Sequence, residues 1–174
     1  MSIPNRTISA TITPMSTIYE VLNQLGIQYV KHEHPAVFTC EQADELAGHV
    51  PGGRSKNLFL RNQKGDKHYL FVAFADKRAD LKTLTKLVGE SRLSFASEDR
   101  LMKYLNLTPG SVSPFGLIND TNHEVIVLID NELMKHETLG FHPNVNTATL
   151  EITSTSFKEF LEATGNDVRY IHLA

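Results

Sequence analysis

The usual nucleophile and nucleotide signatures are missing from this sequence, so any chemistry must come from polar side chains set beside glycine and proline. There is no GxSxG elbow, no GxxxxGK phosphate loop and no GxGxxG turn, and the single cysteine, Cys40, lacks a catalytic-cysteine context. Lys56 and Asn57 stand where the glycine-rich turn VPGGRS enters an apolar run, which projects a cation and an amide from a rigid element. The loop Gly110-Ser111-Val112-Ser113-Pro114 can turn backbone N–H groups toward a carboxyl or ester oxygen, as an oxyanion site requires, although a plain turn fits the same residues. In FHPNVN, His142 precedes a stiffening proline and two asparagines, Asn144 and Asn146, whose amides both donate and accept. That loop suits a small polar ligand, and an asparagine-stabilised turn explains it equally well. His32 and His34 share one face of an expected strand, but no third ligand is spaced to complete a metal site, so no metal is expected.

These residues need elements to hold them. Ile18, Val21, Leu22 and Leu25 follow helical spacing behind a Thr17/Glu20 capping pair, with Gly26 as the stop. IQYVKHEHP alternates like a strand, and Thr39 with Gln42 announces a short helix. KNLFLRN and KHYLFVAFA, joined by QKGD, read as a β-hairpin. DLKTLTKLVG is a helix, RLSFAS a strand, and SEDRLMKYLN a helix capped by Ser97. GLIND and EVIVLIDNEL read as two strands, FHPNVNTATLEIT as a loop and strand, SFKEFLEATG as an amphipathic helix and VRYIHL as a last strand. The pattern predicts an α+β fold: a single domain over residues 15–174, with a mixed, mainly antiparallel sheet and peripheral helices, behind a loosely held tail over residues 1–14.

Composition narrows the function classes. With 41% hydrophobic and 21% charged residues, the chain has the balance of a compact globular domain. It has no apolar run of membrane-spanning length and no signal-peptide pattern at its start, so a cytoplasmic address and no membrane contact are expected. A net charge of -3 argues against coating long nucleic acid, but leaves room for a short footprint through Lys56, Arg61, Lys77 and Arg78.

Taken in order, HPAVFT, GGRSKNLFLR, DLKTL, RLSFAS, GSVSPFGL and FHPNVNTATLEI, followed by SFKEFLEATG, resemble the prolyl-tRNA editing superfamily, the YbaK and ProX group. Within it the chain most resembles the freestanding alanine editors. The resemblance implies hydrolysis of the ester joining alanine to the terminal adenosine of proline tRNA, with no cofactor. It assigns Lys56 and Asn57 to the terminal adenosine, its phosphates and the aminoacyl group, and the backbone from Gly110 through Ser111 to Pro114 to the water and the developing oxyanion. His142 becomes a wall and hydrogen-bonding partner for the amino acid, with Asn144 beside it; Phe38, Thr39 and Val112 are the expected lining of the sieving pocket. The acceptor end of alanylated proline tRNA is the expected partner, with prolyl-tRNA synthetase or an elongation factor as further ones. Two other readings stay open: a deacylase of the same fold acting on cysteine attached to proline tRNA, and a noncatalytic module that holds tRNA or a synthetase.

Overall fold

Capping fixes the helices locally. In the computed structural model, which describes residues 17–36 and 53–173, α1 (Ile18–Leu25) begins where Thr17 Oγ1 accepts the Glu20 N–H and ends at Gly26 with φ 70°. Asp80 caps α2 (Leu81–Val88), Ser97 caps α3 (Glu98–Leu105) and Thr153 caps α4 (Ser154–Thr164), each accepting a backbone N–H of the first turn. The expected tail over 1–14 and the helix expected after Thr39 lie outside the described residues.

Eight strands are described: β1 (Val30–Glu33), β2 (Gly53–Asn62), β3 (His68–Phe74), β4 (Leu93–Phe95), β5 (Val125–Asp130), β6 (Thr138–Phe141), β7 (Ala148–Thr153) and β8 (Val168–Ile171). Their order is β1-β7-β6-β2-β3-β5-β8, with β4 also paired to β2. The β1/β7, β6/β7, β2/β3 and β2/β4 pairs are antiparallel, while β2/β6, β3/β5 and β5/β8 are parallel. The fold is the expected α+β mixed sheet with helices around it. The β2–β3 hairpin turns as QKGD predicts: Gly65 sits at φ 72°, and Asn62 Oδ1 accepts the N–H groups of Asp66 and Lys67 at 3.1 Å each.

One expected strand is corrected. GLIND forms part of a 3-10 helix over Pro114–Asn119, because Ser113 Oγ accepts the Phe115 N–H at 3.2 Å and Pro114 occupies the first helical position with its φ already suited to a helix. Strand β6 was not foreseen; its four residues alternate, but a run that short containing Gly140 is too brief to stand out.

Each face of the sheet has its own core. Phe59, Val72, Val127, Leu139 and Leu150 join α1, α3, the 3-10 helix and α4 on one face. Leu60, Phe71, Ala73 and Leu128 meet Leu84 of α2 on the other. The two faces alternate along β2 without interruption, since its register with β3 runs unbroken from Ser55↔Phe74 to Arg61↔His68.

His68, buried under the first core, accepts from Arg100 Nη1 at 2.9 Å and lies between Phe59 and Tyr104. Burial, followed by the positive charges of Arg100, Lys103 and Arg61, pushes its pKa from 6.5 down to about 4. Between those values the unfolded chain takes a proton that the folded one refuses, so this contribution is complete above pH 6.5 and is lost as pH falls toward 4. The urea midpoint should therefore drop across that interval, and His68→Gln should flatten the slope. Parallel slopes for the two proteins would contradict this account.

Candidate functional site

The site begins with an interruption in the sheet. One edge of β2 is covered by β3, while the other is divided: Gly53 and Arg54 pair with β6, and Leu60 to Asn62 pair with β4. Among the described residues no strand lies beside Ser55–Leu58 on that second edge, and this leaves a notch bounded by β2, the end of β6 and β4. Asn57 stands at the notch. Ser55 Oγ donates to Gly140 O at 2.9 Å, so it must accept from Asn57 Nδ2 at 3.1 Å, and the amide orientation is thereby fixed. Asn57 Oδ1 is then left buried without a donor among the described residues.

Asn144 repeats the arrangement from the other side. It holds φ 64° in the loop after β6, and its Nδ2 donates to Phe115 O at 3.4 Å. A carbonyl can only accept, so the side-chain oxygen is the outward atom, and Asn144 Oδ1 is also buried without a donor among the described residues. Phe115 belongs to the core on the Asn57 face, which ties both asparagines to the same side of the sheet.

The loop from Gly110 to Pro114 packs beside them. Thr108-Pro109-Gly110-Ser111 is a turn with Gly110 at φ 87°, closed by Ser111 N–H to Thr108 O at 3.1 Å. The Ser111 N–H is therefore occupied, and the Phe115 N–H is taken by Ser113. The N–H groups of Gly110, Val112 and Ser113 carry no hydrogen bond among the described residues, so they are the donors this loop can offer to an oxygen. Val112 packs against the core, and Ser113 and Pro114 are buried.

Lys56 and His142 lie on the other side. Alternation places Lys56 with Leu58 and Leu60, facing away from Asn57, and its Nζ donates to Lys77 O at 3.1 Å. His142 stands beside His34, with ring centroids 6.0 Å apart, and His34 Nε2 meets Thr149 Oγ1 at 2.9 Å. His142 Nδ1 donates to Ala148 O at 2.9 Å, which leaves Nε2 as an acceptor. Burial holds His142 below its ordinary value; the Ala148 carbonyl pulls it back up and His34 pushes it further down. The structure thus divides the expected site residues between the two faces, with Asn57, Asn144 and Val112 on one and Lys56 and His142 on the other.

Phe38 and Thr39 lie outside the described residues. Ser55 was not singled out from the sequence, Ser113 was considered only as part of the Gly110–Pro114 loop, and His34 only as half of a metal pair. Ser55 was legible as the residue two before Asn57 on one strand face, and Ser113 as a serine before proline. His32, the other half of the strand pair, meets Glu151 Oε2 at 2.9 Å. A cavity of about 660 Å³ lined by Phe74, Lys77, Glu132, His136 and His172 takes in Lys77 of the expected basic footprint and none of the other expected site residues.

The aminoacyl-tRNA editing domain family matches residues 34–160 of this chain. The prolyl-tRNA editing protein ProX of Acetoanaerobium sticklandii is 44% identical over 152 residues, covering 87% of this chain and 93% of its own. The multifunctional Ser/Thr-tRNA deacylase ProXp-y of Escherichia coli K12 is 30% identical over 97 residues, 55% of this chain and 58% of its own. A solved structure described as a candidate trans-editing enzyme for prolyl tRNA synthetase aligns over 100% of both chains with a TM-score of 0.66 at 24% identity, a likeness of fold.

The geometry of His142 predicts a neutral imidazole with its proton on Nδ1 at pH 7. Long-range proton–nitrogen correlation spectra should show that tautomer and a titration midpoint below 6.5. A midpoint at or above that value in the folded protein would overturn the assignment.

Proposed function

The chain belongs to the aminoacyl-tRNA editing domain family and is an aminoacyl-tRNA deacylase, and on that premise we propose that it acts in trans on alanine wrongly attached to proline tRNA. The observation that carries this reading is that Asn57 Oδ1 and Asn144 Oδ1, two of the three buried amide oxygens without a donor among the described residues, lie on one side of the sheet, whereas the third, Asn166 Oδ1, lies apart from them. Buried acceptors without donors cost about 1–3 kcal/mol each, so they persist where a ligand supplies the donor. The α-ammonium of an aminoacyl ester is such a donor.

In this reading the aminoacyl group enters the notch with its ammonium on Asn57 and Asn144 and its ester carbonyl toward the N–H groups of Val112 and Ser113. Water adds to the carbonyl carbon, the carbon–oxygen bond to the ribose breaks, and the ribose oxygen leaves as a hydroxyl carrying a proton that the water gave up. An aminoacyl ester is already activated, so positioning and charge stabilisation carry most of the rate. The turn at Gly110 and Ser111 and the helix start at Pro114 aim those donors. His142 Nε2 offers an acceptor to the water or the amino acid, and Lys56 exchanges its Lys77 carbonyl for a phosphate of the terminal nucleotide at the rim of the notch. Val112 forms part of the wall that admits alanine and excludes the proline ring. A second, smaller site is needed because a pocket built for proline discriminates against alanine by only a few kcal/mol. The freed tRNA returns to prolyl-tRNA synthetase, which with an elongation factor completes the set of partners this reading names.

The test is loss of the ester from proline tRNA charged separately with alanine, cysteine, serine and proline. Alanine should be released fastest, and Asn57→Ala should lower kcat/KM by about 10²-fold. Release of cysteine alone would assign the chain to the thiol-driven deacylases, and absence of any release would overturn the reading.

A further inference from the structure

The turn joining β2 to β3 gathers positive charge, and among the described residues no carboxylate lies within salt-bridge distance of its two guanidinium groups. The point a Cβ on Gly65 would occupy is 2.9 Å from Arg100 Nη2 and 3.3 Å from Arg61 Nη1, so two guanidinium groups converge on the bare glycine. Arg100 is anchored there by Nη1, which donates to Gly65 O and to His68 Nε2 at 2.9 Å each. Lys103, one turn further along α3, lies over the Tyr104 ring at 5.2 Å. The acids of the hairpin are engaged elsewhere: Asp66 accepts from Asn62 Nδ2 at 2.7 Å, and Glu90 accepts from Tyr69 Oη at 2.7 Å with Lys67 Nζ at 3.7 Å. Among the described residues neither Arg61 nor Arg100 has a salt-bridge partner.

Two like charges held this close repel, and a fold keeps such an arrangement at little cost when an anion completes it. The guanidinium fork favours a phosphate, which it can grip through two N–H donors at once. The downward push on His68 from Arg100, Lys103 and Arg61 together reports the same convergent field. The patch also lies on the Asn57 side of the sheet: Asn57, Phe59 and Arg61 occupy alternate positions of β2, and α3 packs on that face. At ~3.3 Å per residue, Arg61 is roughly 13 Å along the strand from Asn57. At ~3.4 Å per stacked nucleotide, that corresponds to about four nucleotides of one RNA strand.

We propose that Arg61, Arg100 and Lys103 form a phosphate-binding patch that grips the acceptor-arm backbone of tRNA a few nucleotides upstream of the ester. The proposal rests on the deacylase reading above, with the notch holding the aminoacyl end and the hairpin patch fixing the arm behind it. Because phosphate contacts position without reading bases, the patch supplies affinity and register and leaves selectivity to the notch.

The test measures binding of an uncharged acceptor-stem RNA hairpin as a function of salt, alongside hydrolysis of alanyl-adenosine, which is too short to reach Arg61. The Arg61→Gln/Lys103→Gln double variant should bind the hairpin several-fold more weakly, with the slope of log affinity against log salt reduced by about 2. Lys158→Gln on α4 controls for the change in net charge and should leave the slope unaltered. Retained hydrolysis of alanyl-adenosine shows that the variant is folded. An unchanged slope in the double variant would overturn the patch while leaving the deacylase reading intact. A wild-type chain that hydrolyses alanyl-adenosine yet binds no hairpin would also remove the patch, and one that does neither removes both.

Discussion

The divided edge of β2 is the constraint on which the remaining structure depends. A strand can be hydrogen-bonded on two sides, and β2 gives one whole side to β3 but shares the other between β6 at its start and β4 at its end. The two partners approach from different parts of the chain and do not meet, so a stretch of strand in the middle of the molecule lacks a strand beside it among the described residues. Elsewhere such an open edge invites unwanted pairing. Here the same side of the sheet also carries Val112, packed against the core, and Asn144, bonded to Phe115 O, and the proposed function uses that interruption as the place for a ligand.

Side-chain amides, rather than charges, dominate the inner part of that place. Asn57 and Asn144 have their nitrogen atoms committed to Ser55 and Phe115, and this commitment leaves both oxygens as buried acceptors without a donor among the described residues. An amide oxygen attracts an ammonium without the desolvation cost that a buried carboxylate would bring. Cationic groups sit further out, with Lys56 on the far side of β2 and Arg61 and Arg100 at the hairpin. Polarity is thus graded from neutral acceptors inside to cations outside, matching a molecule whose aminoacyl end is cationic and whose remainder is polyanionic.

Local signals in the sequence were readable because capping and turns act over a few residues. Thr17, Asp80 and Ser97 start helices by accepting nearby N–H groups, and the QKGD turn between two apolar runs can close in one way only. The GLIND segment misled because its apolar residues suit a strand, while the Ser113 cap and Pro114 that make it helical lie just before it. The adjacency of Lys56 and Asn57 suggested a joint role, yet the period of a strand sends neighbours to opposite faces, and Lys56 Nζ donates to Lys77 O on the face away from Asn57. Nothing short-range in the sequence announces that β6 and β4 will each take part of the same edge, since Leu139 and Phe95 are brought to β2 by tertiary packing.

The joint between β2 and β6 has a mechanical meaning. Two parallel pairings, Gly53 with Leu139 and Arg54 with Gly140, and the Ser55 hydroxyl bond join the β1-β7-β6 ribbon to the edge of the larger sheet, while Leu139, Phe141, Leu150 and Ile152 of the ribbon share a core with Phe59 and Phe115. The angle of the ribbon is set by that short joint together with the packing behind it. The aperture opposite Asn57 is then gauged by the angle at which the ribbon leaves the sheet, much as the jaws of a caliper are set at the pivot. Substitutions in the ribbon, far from any bound amino acid, would reset the size that fits, so selectivity in such a fold can drift without any change in the residues that touch the substrate.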